Sequence, residues 1–152
     1  MKITSSIALI YLFFVAVLFS GCASVPRADK SVERDALLFK PIPGKSVIYV
    51  YRNELFGGTI GMDIIIDNQN IGGTASRNFL WIKTEPGDHI IASKAENRDV
   101  MQLKTEAGKI YYIWQEAKMG MMSARTKLNL VSEDEGQTGV RACELVLHDQ
   151  PE

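Results

Sequence analysis

The chain contains 152 residues, of which 23% are charged, and its formal net charge at pH 7 is -1. This length suits a single domain. Because the basic residues do not form the dense Lys/Arg stripe that a phosphate backbone requires, the sequence excludes nucleic acid as an expected partner. One of the two cysteines, Cys22, directly follows an apolar amino terminus, and the other, Cys143, lies near the carboxyl terminus.

Residues 1–21 have the pattern of a bacterial signal peptide. Lys2 precedes an apolar run at residues 7–19, which is shorter than the roughly 20 residues of a membrane-spanning helix. A helical signal-peptide core is therefore the better interpretation. The segment LFSGC, which ends at Cys22, resembles a bacterial lipobox with Phe in place of the usual Leu. We predict cleavage between Gly21 and Cys22; the alternatives are a transmembrane anchor and an ordinary cleaved signal.

Cys22 is predicted to carry acyl chains such as palmitate and to anchor the mature protein in the lipid bilayer. Each buried methylene contributes about 0.8 kcal/mol, so several chains together give permanent attachment. In proteins that resemble enteric lipoproteins, an Asp after the cysteine favours the inner membrane. Ala23 stands there instead. This favours the outer membrane, with the domain facing the periplasm. Since Cys22 is the lipidation site, Cys143 is expected to be an unpaired, small buried residue, with a redox or metal role as the alternative.

The segment at 22–44 is predicted to be a lipidated tether. It combines charges of both signs with three prolines, which favours an extended linker. Residues 31–39 are compatible with one or two helical turns capped by Ser31. The rest of the chain is predicted to form a β domain at 45–148 and a short tail at 149–152.

From Lys45 onward, apolar runs of about five to eight residues alternate with clusters of Gly, Asn, Asp and Pro. The runs are rich in Val, Ile, Tyr and Trp, which indicates strands separated by turns. Three hairpins are predicted, with turns at 67–70, 85–88 and 106–109. The run at 110–116 is apolar on both faces and therefore indicates a central strand.

The last part of the domain predicts one short helix and a final strand. Ser132, with Glu135 three residues later, has the form of a capping box, while Gly136 and Gly139 limit the helix. Residues 144–147 form the predicted final strand. The expected fold is all-β, a small antiparallel sandwich of about seven strands of the transthyretin or immunoglobulin-like kind, with the pairing order left open.

Several motifs are shared with one group of small bacterial lipoproteins. They are the lipobox, PIPGKSVIYVYR at 41–52, FGG at 56–58, DNQNIGG at 67–73, PGDH at 86–89 and AGKIYY at 107–112. By these motifs, which span nearly the whole mature chain, the sequence resembles the family called domain of unknown function 2846. The resemblance implies an envelope location and a β-sandwich, and it implies no activity. The hairpin EPGDHII also resembles PEGA-type surface modules.

Catalytic residues are not recognisable in the sequence. A nucleophilic hydrolase needs a Ser or Cys with a His base and an orienting carboxylate, but His89 and His148 stand in no such motif. His89 is expected at the rim of a strand and His148 in a solvated tail. The absence of a phosphate-binding loop, a dinucleotide fingerprint and zinc-ligand spacing predicts no enzyme activity and no cofactor.

Acidic residues do not form a catalytic pair either. Asp63 and Asp67 would lie about 13 Å apart along one strand, too far for a shared acid–base site. The run from Glu133 to Glu135 suits a helix amino terminus, where negative charge is stabilising.

Three methionines suggest a metal site. Met119, Met121 and Met122 lie within four residues, and thioether sulfurs are soft ligands for Cu(I). His89 is a candidate additional ligand. The alternative is that the methionines fill gaps in the core, with Gly120 at a bend.

Two other features are candidate binding surfaces. Arg52 ends the first strand beside the FGG loop, where a contact to a carboxylate or phosphate is conceivable. Six aromatic residues are expected to pack mainly in the core, with exposed rings that bind glycan or protein as the alternative. They are Tyr49, Tyr51, Phe56, Tyr111, Tyr112 and Trp114.

These observations leave three functional hypotheses. The leading one is a noncatalytic binding or structural module of the cell envelope that contacts another envelope protein or peptidoglycan. The second is periplasmic copper handling through the methionines. The third is a hydrolase whose site is not recognisable from the sequence.

Overall fold

The computed structural model describes residues 25–55, 58 and 60–151. This part of the chain forms nine strands and two helices. The strands are β1 (Ser46–Arg52), β2 (Met62–Ile66), β3 (Gln69–Thr74), β4 (Asn78–Thr84), β5 (Gly87–Lys94), β6 (Arg98–Thr105), β7 (Ile110–Met119), β8 (Ala124–Val131) and β9 (Glu144–Leu145). The helices are α1 (Lys30–Ala36) and α2 (Glu133–Arg141). Over the described ranges, neither helix has the length and apolar character needed to cross a membrane.

The strands form two sheets packed face to face. The first has the order β8-β7-β1-β4-β9 and the second the order β3-β2-β5-β6. All pairings are antiparallel except β1 with β7 and β4 with β9. The predicted all-β sandwich is therefore confirmed, with nine strands in place of about seven. The run at 110–116, predicted to be a central strand, lies inside the first sheet as β7, but the central and fully buried strand is β1.

Strand β1 is the centre of the molecule, since all seven of its residues are buried. Its alternate side chains enter two different apolar layers. The layer between the sheets contains Ile48, Val50, Ile64, Ile66, Ile71, Leu80, Ile82, Ile91, Leu103, Ile113, Leu128 and Val146. The layer between the first sheet and the helices contains Ala36, Phe39, Val47, Tyr49, Tyr51, Phe79, Tyr112, Val140, Cys143 and Leu145.

A buried polar network joins the two sheets. Gln115 on β7 donates from Nε2 to Ser93 Oγ at 2.7 Å, and its Oε1 accepts from the Thr74 hydroxyl. Ser93 Oγ also lies 2.6 Å from Thr126 Oγ1 on β8. All four side chains are at most 3% exposed, so their polar groups depend on each other for hydrogen bonding.

Most of the segment predicted as a tether packs on the sandwich. Ala28 N donates to Leu145 O at 3.0 Å, and Leu147 N donates to Pro26 O at 2.8 Å. Helix α1 follows, and its Ala36 is fully buried. The predicted cap Ser31 is wrong, because Asp29 caps the helix by accepting from Ser31 N at 2.7 Å. The apolar residues of this segment cover the outer face of the first sheet, so the segment from residue 25 onward does not serve as a free linker.

One of the three predicted hairpins is confirmed, and two are wrong. Strands β2 and β3 pair across Asp67 and Asn68, whose φ values of 49° and 70° match a two-residue turn of the primed type. In contrast, β4 and β5 lie in different sheets, as do β6 and β7. Because β4 and β7 both pair with the buried β1, the turns at 85–88 and 106–109 carry the chain across the sandwich.

In the carboxyl-terminal part, the helix agrees with the sequence-based prediction, whereas the segment after the helix differs from it. The Ser132 cap is confirmed, since its Oγ accepts from Glu135 N at 3.4 Å. The final strand is shorter than predicted and ends at Leu145. The following residues lie along β4, where Gln150 Oε1 accepts from Lys83 N at 2.7 Å.

Candidate functional site

A basic cleft lies at one end of the first sheet. It is bounded by the corner between β3 and β4, the end of α2 and the segment that precedes α1. The cavity has a volume of about 470 Å³. Its lining residues are Arg27, Ser76, Arg77, Asn78, Arg141, Ala142, Cys143 and Glu144. We refer to this site as the arginine cleft.

The corner that carries Arg77 is held by backbone geometry and hydrogen bonds. Arg77 has a φ of 57°, a left-handed conformation that is uncommon for a residue with a side chain. Asn78 Oδ1 accepts from Ala75 N at 3.1 Å, and Glu144 N donates to Arg77 O at 2.9 Å. These bonds fix the corner against the end of α2, so the Arg77 side chain starts from a defined position.

The other two arginines are held by different partners. Arg27 Nη2 lies 2.7 Å from Glu144 Oε2, in an ion pair whose side chains are 65% and 40% exposed and which therefore contributes little stability. Arg141 places its guanidinium carbon 4.7 Å from the centre of the Phe39 ring, a cation–π contact. With three guanidinium groups and one carboxylate, the lining of the cleft carries a net positive charge.

Cys143 lies at the inner side of the arginine cleft and is 7% exposed. Its Sγ is 3.3 Å from Gly139 O. Burial raises the pKa of the Cys143 thiol to about 12, although the charge of Arg77 acts in the opposite direction. The expectation of a small buried residue is confirmed, and the side chain is a neutral thiol at physiological pH.

Arg52 is fully buried and lies between the sheets. Its Nη1 donates to Ile60 O at 2.7 Å. Burial lowers the pKa of Arg52, and the nearby carboxylate of Glu54 acts in the opposite direction. The hypothesis that Arg52 contacts a carboxylate or phosphate ligand does not fit this position, because the side chain is fully buried and donates to Ile60 O.

The three methionines lie at the tip of the hairpin formed by β7 and β8. Met119, Met121 and Met122 are 81%, 93% and 95% exposed. The alternative that they fill gaps in the core is therefore wrong. The turn is held by Glu96, whose carboxylate accepts from the backbone N–H groups of Met121, Met122 and Ser123 at 2.7–3.0 Å. These bonds lower the pKa of Glu96, so it stays ionised. We refer to this tip as the methionine hairpin.

His89 is buried instead of lying at an exposed rim. Its Nδ1 is 2.6 Å from Asp67 Oδ2, and its Nε2 is 2.9 Å from Glu85 O. Burial opposes the charged ring, but the two hydrogen bonds outweigh it and raise the pKa of His89. Both ring nitrogens are thus engaged, which leaves none for a metal shared with the methionine hairpin.

The remaining predicted residues have structural contacts or lie at the surface. His148 is half-buried, with Nε2 2.8 Å from Trp81 O, so the expected solvated position is wrong. Asp63 is exposed on β2, and the run from Glu133 to Glu135 is exposed at the start of α2. Cys22 and Gly21 lie outside the described residues.

The aromatic residues divide between core and surface. Tyr49, Tyr51 and Tyr112 are 1–2% exposed, which confirms the expected core packing. Tyr111 and Trp114 are half-buried, and Phe56 lies outside the described residues. Trp114 Nε1 donates to Glu54 Oε2 at 3.0 Å, beside a second cleft of about 450 Å³ between β7 and α2.

Sequence reasoning missed the arginine cleft. Arg27, Arg77 and Arg141 are separated by about 50 to 64 positions, and none of them stands in a charged run. Only the left-handed corner and the parallel pairing of β9 with β4 bring them together. No local signal in the sequence indicates this arrangement.

The fold is a small β-sandwich with a helical outer layer. The chain belongs to the family described as Protein of unknown function (DUF2846), whose model matches residues 43–127. This confirms the resemblance noted in the sequence. A relative in Haemophilus influenzae, described as an uncharacterized protein, is 36% identical over 129 residues, which cover 83% of this chain and 76% of the relative. No solved structure matches the chain.

Proposed function

We propose that the protein is a lipid-anchored module of the bacterial cell envelope that binds another envelope component and performs no catalysis. The segment LFSGC ending at Cys22 supports the anchor. One structural observation bears on how such an anchor would act. The chain packs on the sandwich from Pro26 onward, through the hydrogen bond from Leu147 N to Pro26 O. An acyl group on Cys22 would therefore hold the folded domain close to the bilayer.

The proposed location is the periplasmic face of the outer membrane. Ala23 supports the outer over the inner membrane. The proposed partner is another envelope protein or peptidoglycan. One surface available for it is the exposed methionine hairpin.

Membrane fractionation with crosslinking tests this function. The full chain is expressed in a Gram-negative host, and the membranes are separated by density before a short-range crosslinker is applied. We expect the wild-type chain in the outer-membrane fraction, crosslinked to a specific envelope protein or to peptidoglycan. A Cys22→Ser variant should leave the membrane fraction. A wild-type chain that is fully soluble, or that gives no specific crosslink, contradicts the proposal.

The methionine hairpin supports a second candidate function, periplasmic copper handling. Its three thioether sulfurs are exposed, and the Glu96 bonds fix the turn that carries two of them. Titration with Cu(I) under anaerobic conditions compares the wild type with a variant in which Met119, Met121 and Met122 are all Leu. Met101→Leu, at a half-buried position on β6, is the matched control. Equal binding by all three proteins would exclude the site.

A further inference from the structure

The arginine cleft is fixed close to the proposed lipid anchor. Arg27 follows Cys22 by five residues, and an extended chain of that length spans at most about 18 Å. Arg27 itself is held on the sandwich by its backbone bridge to Val146. If Cys22 is acylated, Arg27 therefore lies within about 18 Å of the anchored cysteine, which allows the arginine cleft to reach the headgroup layer of the bilayer.

The charge of the cleft suits an anion. Among the residues that the structure describes, neither Arg77 nor Arg141 has an acidic side chain within ion-pair distance. A guanidinium offers several N–H donors in a planar fork, which matches the oxygens of a phosphate. Two such groups on one cavity are a suitable receptor for a phosphate, while Glu144 is engaged by Arg27.

The cleft is also preorganised. The left-handed backbone of Arg77 is held by the bond from Glu144 N, and Arg141 is held over the Phe39 ring. Left-handed conformations of residues with side chains cost free energy and cluster at functional sites. The cavity of about 470 Å³ is large enough for a phosphate group with part of its ester substituent.

We propose that the arginine cleft binds the phosphate group of an anionic phospholipid headgroup and so seats the sandwich on the bilayer in one orientation. The proposal rests on the lipid anchor of the proposed function. Arg77 and Arg141 contact the phosphate oxygens, and Arg27 flanks them. The anchor supplies attachment, and the cleft supplies orientation, which presents the opposite surfaces to a partner.

The test uses the full chain reconstituted in nanodiscs, with amide hydrogen exchange as the readout. One set of nanodiscs contains phosphatidylcholine alone and the other contains phosphatidylglycerol in addition. We expect exchange at residues 76–79 and 141–144 to slow several-fold in the anionic nanodiscs. The double variant Arg77→Gln with Arg141→Gln should lose this protection. The matched control, Arg98→Gln with Arg125→Gln, removes the same charge from exposed positions and should retain it.

Three outcomes overturn the proposal. Equal exchange in both kinds of nanodisc means that the cleft does not bind the anionic headgroup. Equal loss of protection in both double variants means that the attraction is a general effect of charge. Full protection by millimolar inorganic phosphate in neutral nanodiscs means that the ligand is a soluble phosphate. The mass of the reconstituted chain reports acylation of Cys22 separately, so a failure of the anchor is distinguishable from a failure of the cleft.

Discussion

The close contact between α2 and the first sheet depends on a glycine, and its substitution gives a quantitative prediction. A Cβ atom at position 139 would lie 2.1 Å from Cε2 and 2.5 Å from Cζ of Tyr51. Tyr51 is 2% exposed, so its ring is closely packed, although it also lines the second cleft. In the variant Gly139→Ala the helix or the Tyr51 ring must shift, because carbon atoms pack at about 3.5–4.0 Å.

The expected effect is a loss of stability despite a better helix former. Overpacking of a dense core costs about 1–3 kcal/mol, while replacing Gly by Ala within a helix gains at most about 1 kcal/mol. Since the clash is with ring atoms well below 3 Å, we expect the free energy of unfolding to fall by about 1–2 kcal/mol. Urea denaturation followed by tryptophan fluorescence measures this change.

Gly61→Ala is the control, because a Cβ atom at position 61 meets no atom within 4 Å. Its effect should stay within about 0.5 kcal/mol. If Gly139→Ala is as stable as the wild type, the account of the contact between α2 and Tyr51 is incorrect.

Three other predictions concern the buried network, the buried histidine and the methionine hairpin. Gln115→Leu should lower the free energy of unfolding by about 2 kcal/mol, since it leaves the Thr74 hydroxyl buried without this partner and leaves Ser93 with only Thr126. Gln102→Leu, at an exposed position, should be neutral in the same urea experiment. The raised pKa of His89 means that its charged form stabilises the fold below about pH 6.5 and that this contribution is lost as the pH rises through the folded-state pKa. The Tm measured by thermal unfolding should therefore decline as the pH rises through this pKa, and this decline should be absent in His89→Gln. An identical decline in the variant would show that a group other than His89 causes it. Glu96→Ala should speed amide hydrogen exchange at Met121, Met122 and Ser123 several-fold without a change at β1, and unchanged exchange at the tip would show that Glu96 does not hold the turn.

The secondary structure was predicted correctly from the sequence where a short local pattern determines it. Alternation and turn residues predicted the strands, and Asp67 with Asn68 predicted the confirmed hairpin, because both residues tolerate left-handed geometry. The capping box at Ser132 was equally local. The apolar residues on both faces of the run at 110–116 also indicated a strand inside a sheet, and β7 lies between β8 and β1.

Features that depend on distant parts of the chain were not predictable. Turns at 85–88 and 106–109 reverse the chain whether it stays in one sheet or crosses to the other, and only the pairing of β1 with β4 and β7 decides this. Methionine side chains are hydrophobic, so core packing was one expectation for these three residues, yet the turn held by Glu96 exposes them. The arginine cleft likewise arises from three segments that have no sequence relation.

The mass of the amino-terminal peptide, from chain purified out of bacterial membranes, tests the central proposal most directly. The account predicts a peptide that begins at Cys22 and carries a diacylglyceryl group on its sulfur, with an added acyl chain on its amino group. The Cys22→Ser variant should yield no such peptide. An unmodified amino terminus in the wild type, whether at Met1 or at another residue, would contradict the lipid anchor and, with it, the proposed role at the envelope.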